Sequence, residues 1–512
     1  MQLSYLFLHR KTIICAFLSS LFLFFSFPKF GIGLFAWIAL VPFFYSLRGV
    51  TVSQGAITGF FIGMLFHVGL IYWIAYVTVV YGNLPFFAGI LLILLLAAYL
   101  SLYFSFFAAG VIYFKNKSIP LILTAPILWV VLEFIKSNLF TGFPWENLAY
   151  SQYLYTPIIQ IADIAGAYSI SFVIVLINVV GYDLINAYDS KKKIFSEIVL
   201  GIILLSTIYF YGVLREQQID EAVSKAPSTN VSLVQGNIDQ SLKWNTQYQR
   251  ETIEIYRALS IASSQSSSSG MIVWPETAVP FYFQDTDDLH QKIVSLALQT
   301  GNWLLFGSPS YTDEQGSLSF LNTAFLLSPK GDIVAQYNKV HLVPYGEYVP
   351  LRQFFPFIGK LTAGIGDFKP GEGFIPIKAD SHKIGVLICY EGILPEAGRT
   401  YKKSGADLLV NITNDAWFGK TSAPYQHLSM TVFRAVENRL FLARAANTGI
   451  SAIVDPTGKI LKRTGIFERT ILQGKVKFLE IPTWYSKYGD FFIYACFLSL
   501  LLICFISEKR RN

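Results

Sequence analysis

What most constrains this chain is the length of its apolar runs. From Met1 to Gly212 charge is nearly absent, and hydrophobic stretches continue for longer than a soluble core can hide. A helix needs ~20 apolar residues to cross the hydrocarbon core of a bilayer. Stretches of that kind lie at 12–27, 31–47, 56–80, 84–114, 119–139, 156–187 and 194–213, with a further one at 490–507. The third, fourth and sixth exceed what one crossing needs, which predicts tilt, a kink or extension past the lipid. The first could pass for the core of a cleaved leader, but Pro28-Lys29 and a second apolar stretch follow it without a small-residue cleavage site. A retained helix is expected there.

Ser228 to Glu480 reads instead as water-soluble protein. The expected organisation is a membrane domain of seven spans over 1–227, a catalytic domain over 228–482, and a last span with its tail over 483–512. Charged residues make up 14% of the chain, against about 25% in an average soluble domain. The net charge of +7 does not point to nucleic acid, because many of the basic residues flank apolar spans and no basic stripe is interleaved with aromatics. Of the four cysteines, Cys15, Cys496 and Cys504 sit in apolar spans. Cys389 stands by itself in the soluble part, so neither an intradomain disulfide nor a CxxC metal pair can form there. No metal and no cofactor is expected.

Short-loop lysines and arginines set the orientation. With the N-terminus inside, the inner side holds Arg10, Lys11, Arg48, Lys115, Lys117, Lys191, Lys192, Lys193, Lys509, Arg510 and Arg511. The outer short loops hold only Lys29 and Lys136. Seven crossings then carry Ser228 to Glu480 to the far side from the N-terminus, which in a bacterium would be the periplasmic or extracytoplasmic side of the inner membrane. The eighth returns the C-terminus to the cytoplasm. Glu133 and Lys136, near the outer end of the fifth span, are expected to snorkel to the interface as an ion pair. The loop Gly142-Phe143-Pro144-Trp145-Glu146-Asn147 follows on the outer side, with aromatics suited to headgroup depth.

The soluble region alternates short apolar runs with turns and helical windows. Strands are expected at Val231–Gln235, Met271–Glu276, Leu304–Ser308, Thr323–Leu327, Ile333–Tyr337, Lys383–Tyr390, Leu408–Asn414, Ser451–Val454 and Ile471–Val476. A helix is expected over Gln247–Ser263. Strands mixed with helices indicate a layered α/β domain. Three segments put a reactive side chain at or near a strand end, where α/β folds place reacting groups. Glu276 ends MIVWPE, Lys339 follows IVAQYN, and Cys389 lies in VLICYE.

The order Glu, Lys, Cys within WPETA, YNKVHLVPYGEYVP and ICYE resembles the nitrilase, or carbon–nitrogen hydrolase, superfamily. Adding the spans, QSLKWN at 240–245 and NDAWFG at 414–419 makes nearly the whole chain similar to the bacterial apolipoprotein N-acyltransferase family. The resemblance implies a nitrilase-like αββα sandwich joined to a multi-pass helical domain. It also implies a ping-pong acyl transfer. Cys389 attacks an acyl ester of a phospholipid donor, and the α-amino group of a diacylglyceryl-modified apolipoprotein takes the acyl group from the thioester. Both substrates are lipids anchored in the bilayer, so the spans belong to the access route. No departure occurs at Glu276, Lys339 or Cys389.

The residue chemistry is consistent with these roles. A free thiol has a pKa near ~8.5 and attacks only as thiolate. Glu276 is the natural acceptor of its proton. Lys339 is expected to lower the thiol pKa and to donate to the oxyanion, with the Tyr390 backbone N–H as a second donor. Glu347 either orients Lys339, assists proton transfer or forms a structural ion pair. Tyr390 and Glu391 are supporting candidates. Trp244 and Trp417 either line an acyl or headgroup pocket or belong to the core. His341 and His427 raise a Cys–His alternative, though no signature surrounds them.

A membrane-tethered amidase acting on a small substrate would share the triad but leave eight spans unexplained. A transporter or scaffold is disfavoured because few charges lie deep in the spans. The segment Phe354-Phe355-Pro356-Phe357, with Gly364 and Gly366 behind it, reads either as a mobile lid that dips into lipid or as ordinary packing.

Overall fold

A computed structural model describes residues 10–186, 191–266, 270–314, 316–348 and 368–509. The aromatic segment at 354–357, with Gly364 and Gly366, lies outside the described residues. The chain forms two compact units. One comprises Met1–Ala75, Pro85–Gln217 and Tyr488–Asn512, and the other comprises Tyr76–Leu84 and Gln218–Lys487.

The first unit is helical and apolar. Its main helices are α1 (Arg10–Ser26), α2 (Ala36–Ser46), α3 (Val52–Leu70), α4 (Phe86–Asn116), α5 (Leu121–Asn138), α6 (Ala167–Ile185) and α7 (Lys191–Lys225), with α12 (Phe491–Lys509) at the far end of the chain. Among the described residues six are long and apolar enough to cross a membrane: α3 to α7 and α12. All eight apolar stretches are helical. The described helices of the first two stretches are 17 and 11 residues long, so the expected count of about eight spans is approximate. The long sixth stretch is broken near Gly166, where φ is +71°, before α6 begins.

Packing between α3 and α4 depends on a stripe of small residues. Gly55, Gly59 and Gly63 recur every fourth position on α3, so they share one face. A Cβ on Gly59 would stand 2.4 Å from the Phe104 carbonyl oxygen, and one on Gly63 would stand 2.9 Å from the Ser101 Cα. The absence of side chains lets the two backbones approach, as small residues do in lipid-embedded bundles. Glu133 and Lys136 do not snorkel. Both are buried, at 7% and 8% exposure, and with His67 and Glu146 they line a cavity of about 40 Å³ inside the helical unit. They hold the following loop from within: Glu133 Oε1 accepts from the Leu148 N–H at 2.7 Å, and Lys136 Nζ donates to the Trp145 carbonyl at 3.5 Å. Capturing those backbone groups offsets part of the burial cost.

The second unit is a four-layer αββα sandwich. Its strands are β1 (Ser228–Gln235), β2 (Gly270–Val273), β3 (Trp303–Glu314), β4 (Ser317–Leu327), β5 (Ile333–Asn338), β6 (Ile377–Ala379), β7 (His382–Ile388), β8 (Leu408–Thr413), β9 (Phe441–Ala446), β10 (Ala452–Val454), β11 (Ile460–Arg463) and β12 (Thr470–Lys477). Two six-stranded sheets result, ordered β12-β1-β2-β3-β4-β5 and β11-β10-β9-β8-β7-β6. Both use the same pattern of directions. Three parallel strands (β1, β2, β3 or β7, β8, β9) are flanked by antiparallel ones. The central strand β8, LLVNIT, is buried along its whole length, as a parallel strand covered on both faces must be. Helices α8 (Thr246–Ser266) and α9 (Asp288–Thr300) cover the first sheet, and α10 (Pro395–Lys403) and α11 (Ala423–Asn438) belong to the second. Trp274, Tyr256, Phe283, Phe306 and Phe325 fill the core beneath α8 and α9.

Replacing Gly59 by Leu should separate α3 from α4 and cost about 1–3 kcal/mol, as overpacking does. Thermal unfolding in detergent should show a lowered Tm. A wild-type Tm would mean that the helices are not held by this close approach.

Candidate active site

Each candidate residue sits where a strand ends. Trp274 anchors the end of β2 by stacking on Tyr256 at 5.0 Å and donating to Ser260 Oγ at 2.9 Å. The chain then turns sharply, with Thr277 at φ +51°, and so presents Glu276 beyond the sheet. Gly307 on β3 makes room, since a Cβ there would stand 2.7 Å from the Glu276 Cα. Lys339 follows β5, where its N–H still pairs with the Asn322 carbonyl of β4 at 2.8 Å. Cys389 follows β7 at φ +54°. That left-handed backbone costs roughly 1–2 kcal/mol for a residue other than glycine. Two donors to the Cys389 carbonyl help hold it: His427 Nε2–H at 3.2 Å and Asn411 Nδ2 at 3.4 Å.

The charged groups interlock. Lys339 is 1% exposed and its Nζ lies 2.8 Å from Glu347 Oε2 and 3.8 Å from Glu276 Oε1. Asn322 bridges the two carboxylates, its Nδ2 donating to Glu276 Oε1 at 2.8 Å and Glu347 Oε1 at 3.0 Å. The Asn414 N–H donates to Glu276 Oε2 at 3.0 Å, and the Val343 N–H to Glu347 Oε2 at 2.8 Å. Burial pulls the Lys339 pKa down, but Glu347 and then Glu276 outweigh it, and the ammonium ends above the ordinary lysine value. Cys389 retains partial exposure. Burial pushes its thiol pKa up, Glu276 pushes it further, and Lys339 only partly opposes them. Lys339 does lower the thiol pKa, as expected, but desolvation and the facing Glu276 carboxylate outweigh it and the net direction is upward.

Glu391, fully buried, ties the two loops together. Its Oε1 accepts from Tyr337 Oη at 3.0 Å and from the N–H groups of Val340 and His341 at 2.7 and 3.1 Å. Its Oε2 accepts from the Ile388 N–H at 2.8 Å. One carboxylate thus joins the backbone after Lys339 to the backbone before Cys389. Burial raises its pKa to about 7, against the donors that favour the charged form. Tyr390 stacks on His341 at 5.6 Å. Trp244 lines a pocket of about 260 Å³ with Pro280, Phe281 and Tyr282. Its indole nitrogen is buried without a hydrogen-bond partner among the described residues. Trp417 packs edge-on against Tyr81 at 5.0 Å, and Tyr81 Oη donates to the neighbouring Ala416 carbonyl at 3.1 Å.

The Cys–His alternative fails on geometry. Both ring nitrogens of His427 are engaged, Nε2 with the Cys389 carbonyl and Nδ1 at 3.0 Å from both Asp415 Oδ1 and Arg444 Nη2. Burial, reinforced by Arg444, lowers the His427 pKa while Asp415 opposes it, and both ring nitrogens are committed to these structural partners. Asp415 would rise with burial, but Arg444 and His427 hold it at about 2. Among the described residues no group of His, Cys, Asp and Glu could hold a metal ion.

Residues 230–485 match the family model described as carbon-nitrogen hydrolase, and residues 19–180 match that of the apolipoprotein N-acyltransferase N-terminal domain. The apolipoprotein N-acyltransferase of Geobacter metallireducens is 42% identical over 98% of this chain and 96% of that protein. That of Rickettsia prowazekii is 34% identical over 91% of this chain and 93% of that protein. The chain belongs to the apolipoprotein N-acyltransferase family. An amidase of the nitrilase superfamily from Nesterenkonia is also similar, with 22% identity and a TM-score of 0.38, over 53% of this chain and 99% of that one.

Within this member of the apolipoprotein N-acyltransferase family, sequence reasoning missed Asn322 and Arg444, gave Asn414 and Asp415 only as part of NDAWFG, and weighed His427 only as a partner for Cys389. A signal existed in two places: Asn322 interrupts the apolar run FLNTAFLL, and Arg444 interrupts FLARAA.

Replacing Glu391 by Gln should cost about 1–3 kcal/mol, because one oxygen becomes an NH₂ facing other donors. Thermal unfolding should report the loss, and turnover should fall at least tenfold as the two loops separate. Wild-type behaviour in both assays would contradict the brace.

Proposed function

We propose that this chain moves an acyl group from a membrane phospholipid to the N-terminal amino group of diacylglyceryl-modified apolipoproteins, with Glu276, Lys339 and Cys389 as its catalytic residues. The observation that carries the reading is the buried set in which one lysine faces two carboxylates at the end of β5, beside a thiol at a strained turn. Membership of an N-acyltransferase family supports the reaction class.

Because the resting sulfur is protonated, activation comes with attack. Cys389 Sγ bonds to the ester carbonyl carbon while Glu276 takes the thiol proton. Lys339 Nζ, and in this reading the Tyr390 N–H, donate to the oxygen as it gains charge. The carbon–oxygen bond breaks, Glu276 returns the proton to the departing alkoxide, and lysophospholipid leaves. The neutral amine then attacks the thioester. Glu276 accepts the amine proton, the carbon–sulfur bond breaks, and the thiolate recovers its proton as the amide departs. Glu347, bonded to Lys339 at 2.8 Å, holds the ammonium on target. The Trp244 N–H, without a partner among the described residues, fits a substrate acceptor oxygen such as a phosphate or carbonyl, and Trp417 is proposed as a second substrate-binding residue. The basic residues of the short loops favour an extracytoplasmic catalytic unit with both termini in the cytoplasm of a bacterium.

Purified protein supplied with phospholipid and a diacylglyceryl-cysteine peptide should yield the N-acylated peptide, read by mass spectrometry. Cys389→Ala and Glu276→Gln should abolish turnover, and Lys339→Met should lower it about 10²- to 10³-fold, as loss of one oxyanion donor does. Wild-type rates in Cys389→Ala would reject the assignment.

A further inference from the structure

Lys243 is a buried lysine that the reaction above does not use. It follows β1 within Gln240-Ser241-Leu242-Lys243-Trp244. It is 1% exposed, and its Nζ donates to the Glu276 main-chain carbonyl at 3.3 Å. The same loop reaches the Glu276 carboxylate from the other side. Gln240 Oε1 accepts from Asn414 Nδ2 at 2.6 Å, and the Asn414 N–H donates to Glu276 Oε2 at 3.0 Å. Asn447, just past β9, fastens the start of the loop. Its Oδ1 accepts from the Ile238 N–H at 2.9 Å, and its Nδ2 donates to the Ile238 carbonyl at 2.8 Å and to Asn414 Oδ1 at 3.1 Å. Backbone and carboxylate of Glu276 are thus gripped by one short segment.

Charge balance gives this contact a reason. Glu276 and Glu347 bring two buried negative charges, and Lys339 supplies one positive charge. A buried ion without a counter-charge is costly. Lys243 is a further buried cation beside Glu276, and its field acts on Glu276. We propose that Lys243 is a positioning residue for Glu276, fixing its main chain through the Nζ contact to its carbonyl and placing a second cation near its carboxylate. The proposal rests on the reading of Glu276 as general base. Glu276 is the charged group facing Lys243, while Lys339 of the β5 end and Cys389 of the β7 end face Glu276. Burial brings the Lys243 pKa down to about 7, with Glu276 opposing, so the ammonium is charged on the acid side of neutrality.

The test measures turnover on phospholipid and diacylglyceryl peptide from about pH 5 to about pH 9 in wild type, Lys243→Met, Lys243→Arg, Glu276→Gln and the Lys243→Met/Glu276→Gln double variant. Lys243→Met should lower kcat about ten- to hundredfold with little change in KM. It should also move the acid limb to higher pH, because a carboxylate that loses a neighbouring cation holds its proton more tightly. Lys243→Arg, which keeps the charge, should restore the acid limb. Lys243→Met should add no further loss on the Glu276→Gln background. A wild-type acid limb in Lys243→Met, or additive losses in the double variant, would overturn the proposal. If Lys243→Met does not fold, Gln240→Ala loosens the same loop with the cation in place. It should lower kcat without moving the acid limb, and a wild-type kcat there would overturn the proposal. Wild-type turnover in Glu276→Gln would instead sink the general-base reading itself, so the two failures are distinct.

Discussion

The site depends on one buried ammonium. Lys339 is sealed from water, and a lone charge in such a place would be too expensive to keep. Glu347 and Glu276 make it tolerable, and Asn322 fixes both carboxylates in the same plane of contacts. The pairing constrains everything around it. β5 must end where Lys339 can reach across to the end of β2, and the loop after it must fold back so that Glu347 closes the pair. Glu391 then locks that loop to the turn that carries Cys389. Three strand ends from two sheets are thereby held at one place.

The electrostatic consequence is a nucleophile that is not permanently activated. A thiol desolvated beside a carboxylate resists ionisation, so the sulfur becomes reactive when a carbonyl is available to take the developing charge. On the proposed reading, such restraint suits an enzyme whose donor is a lipid ester and whose acceptor is an amine. A standing thiolate would invite oxidation and unproductive attack. In the proposed mechanism, transfer from the thioester to an amine runs downhill to an amide and needs no outside energy source.

The helical unit and the strand ends were legible in the sequence because each is a local property. Apolar length is read along a line, and among the described residues all eight stretches are helical, six of them in helices long and apolar enough to cross a membrane. Glu276, Lys339 and Cys389 were visible because each closes an apolar strand. What the sequence hid depends on distance in the fold. Lys243 stands in a polar loop, and nothing local says that β1 beside β2 buries it against Glu276. Asn322 reads as an irregularity in a strand until β5 and the Glu347 loop are placed over it. Glu133 and Lys136 looked like interfacial residues because their depth was readable and their helix face was not. The burial of His427 against Arg444 and Asp415 likewise follows from α11 crossing the ends of β8 and β9, not from any motif around the histidine.

If the buried Glu–Lys–Cys set performs covalent acyl transfer, the acyl group must rest on sulfur between substrates. The most direct measurement is the mass of the Cys389 peptide after incubation with phospholipid in the absence of any acceptor. A hydroxylamine-sensitive acyl adduct on Cys389, discharged when a diacylglyceryl peptide is added, is the expected result. An unmodified Cys389 under conditions in which the same preparation N-acylates added peptide would contradict it.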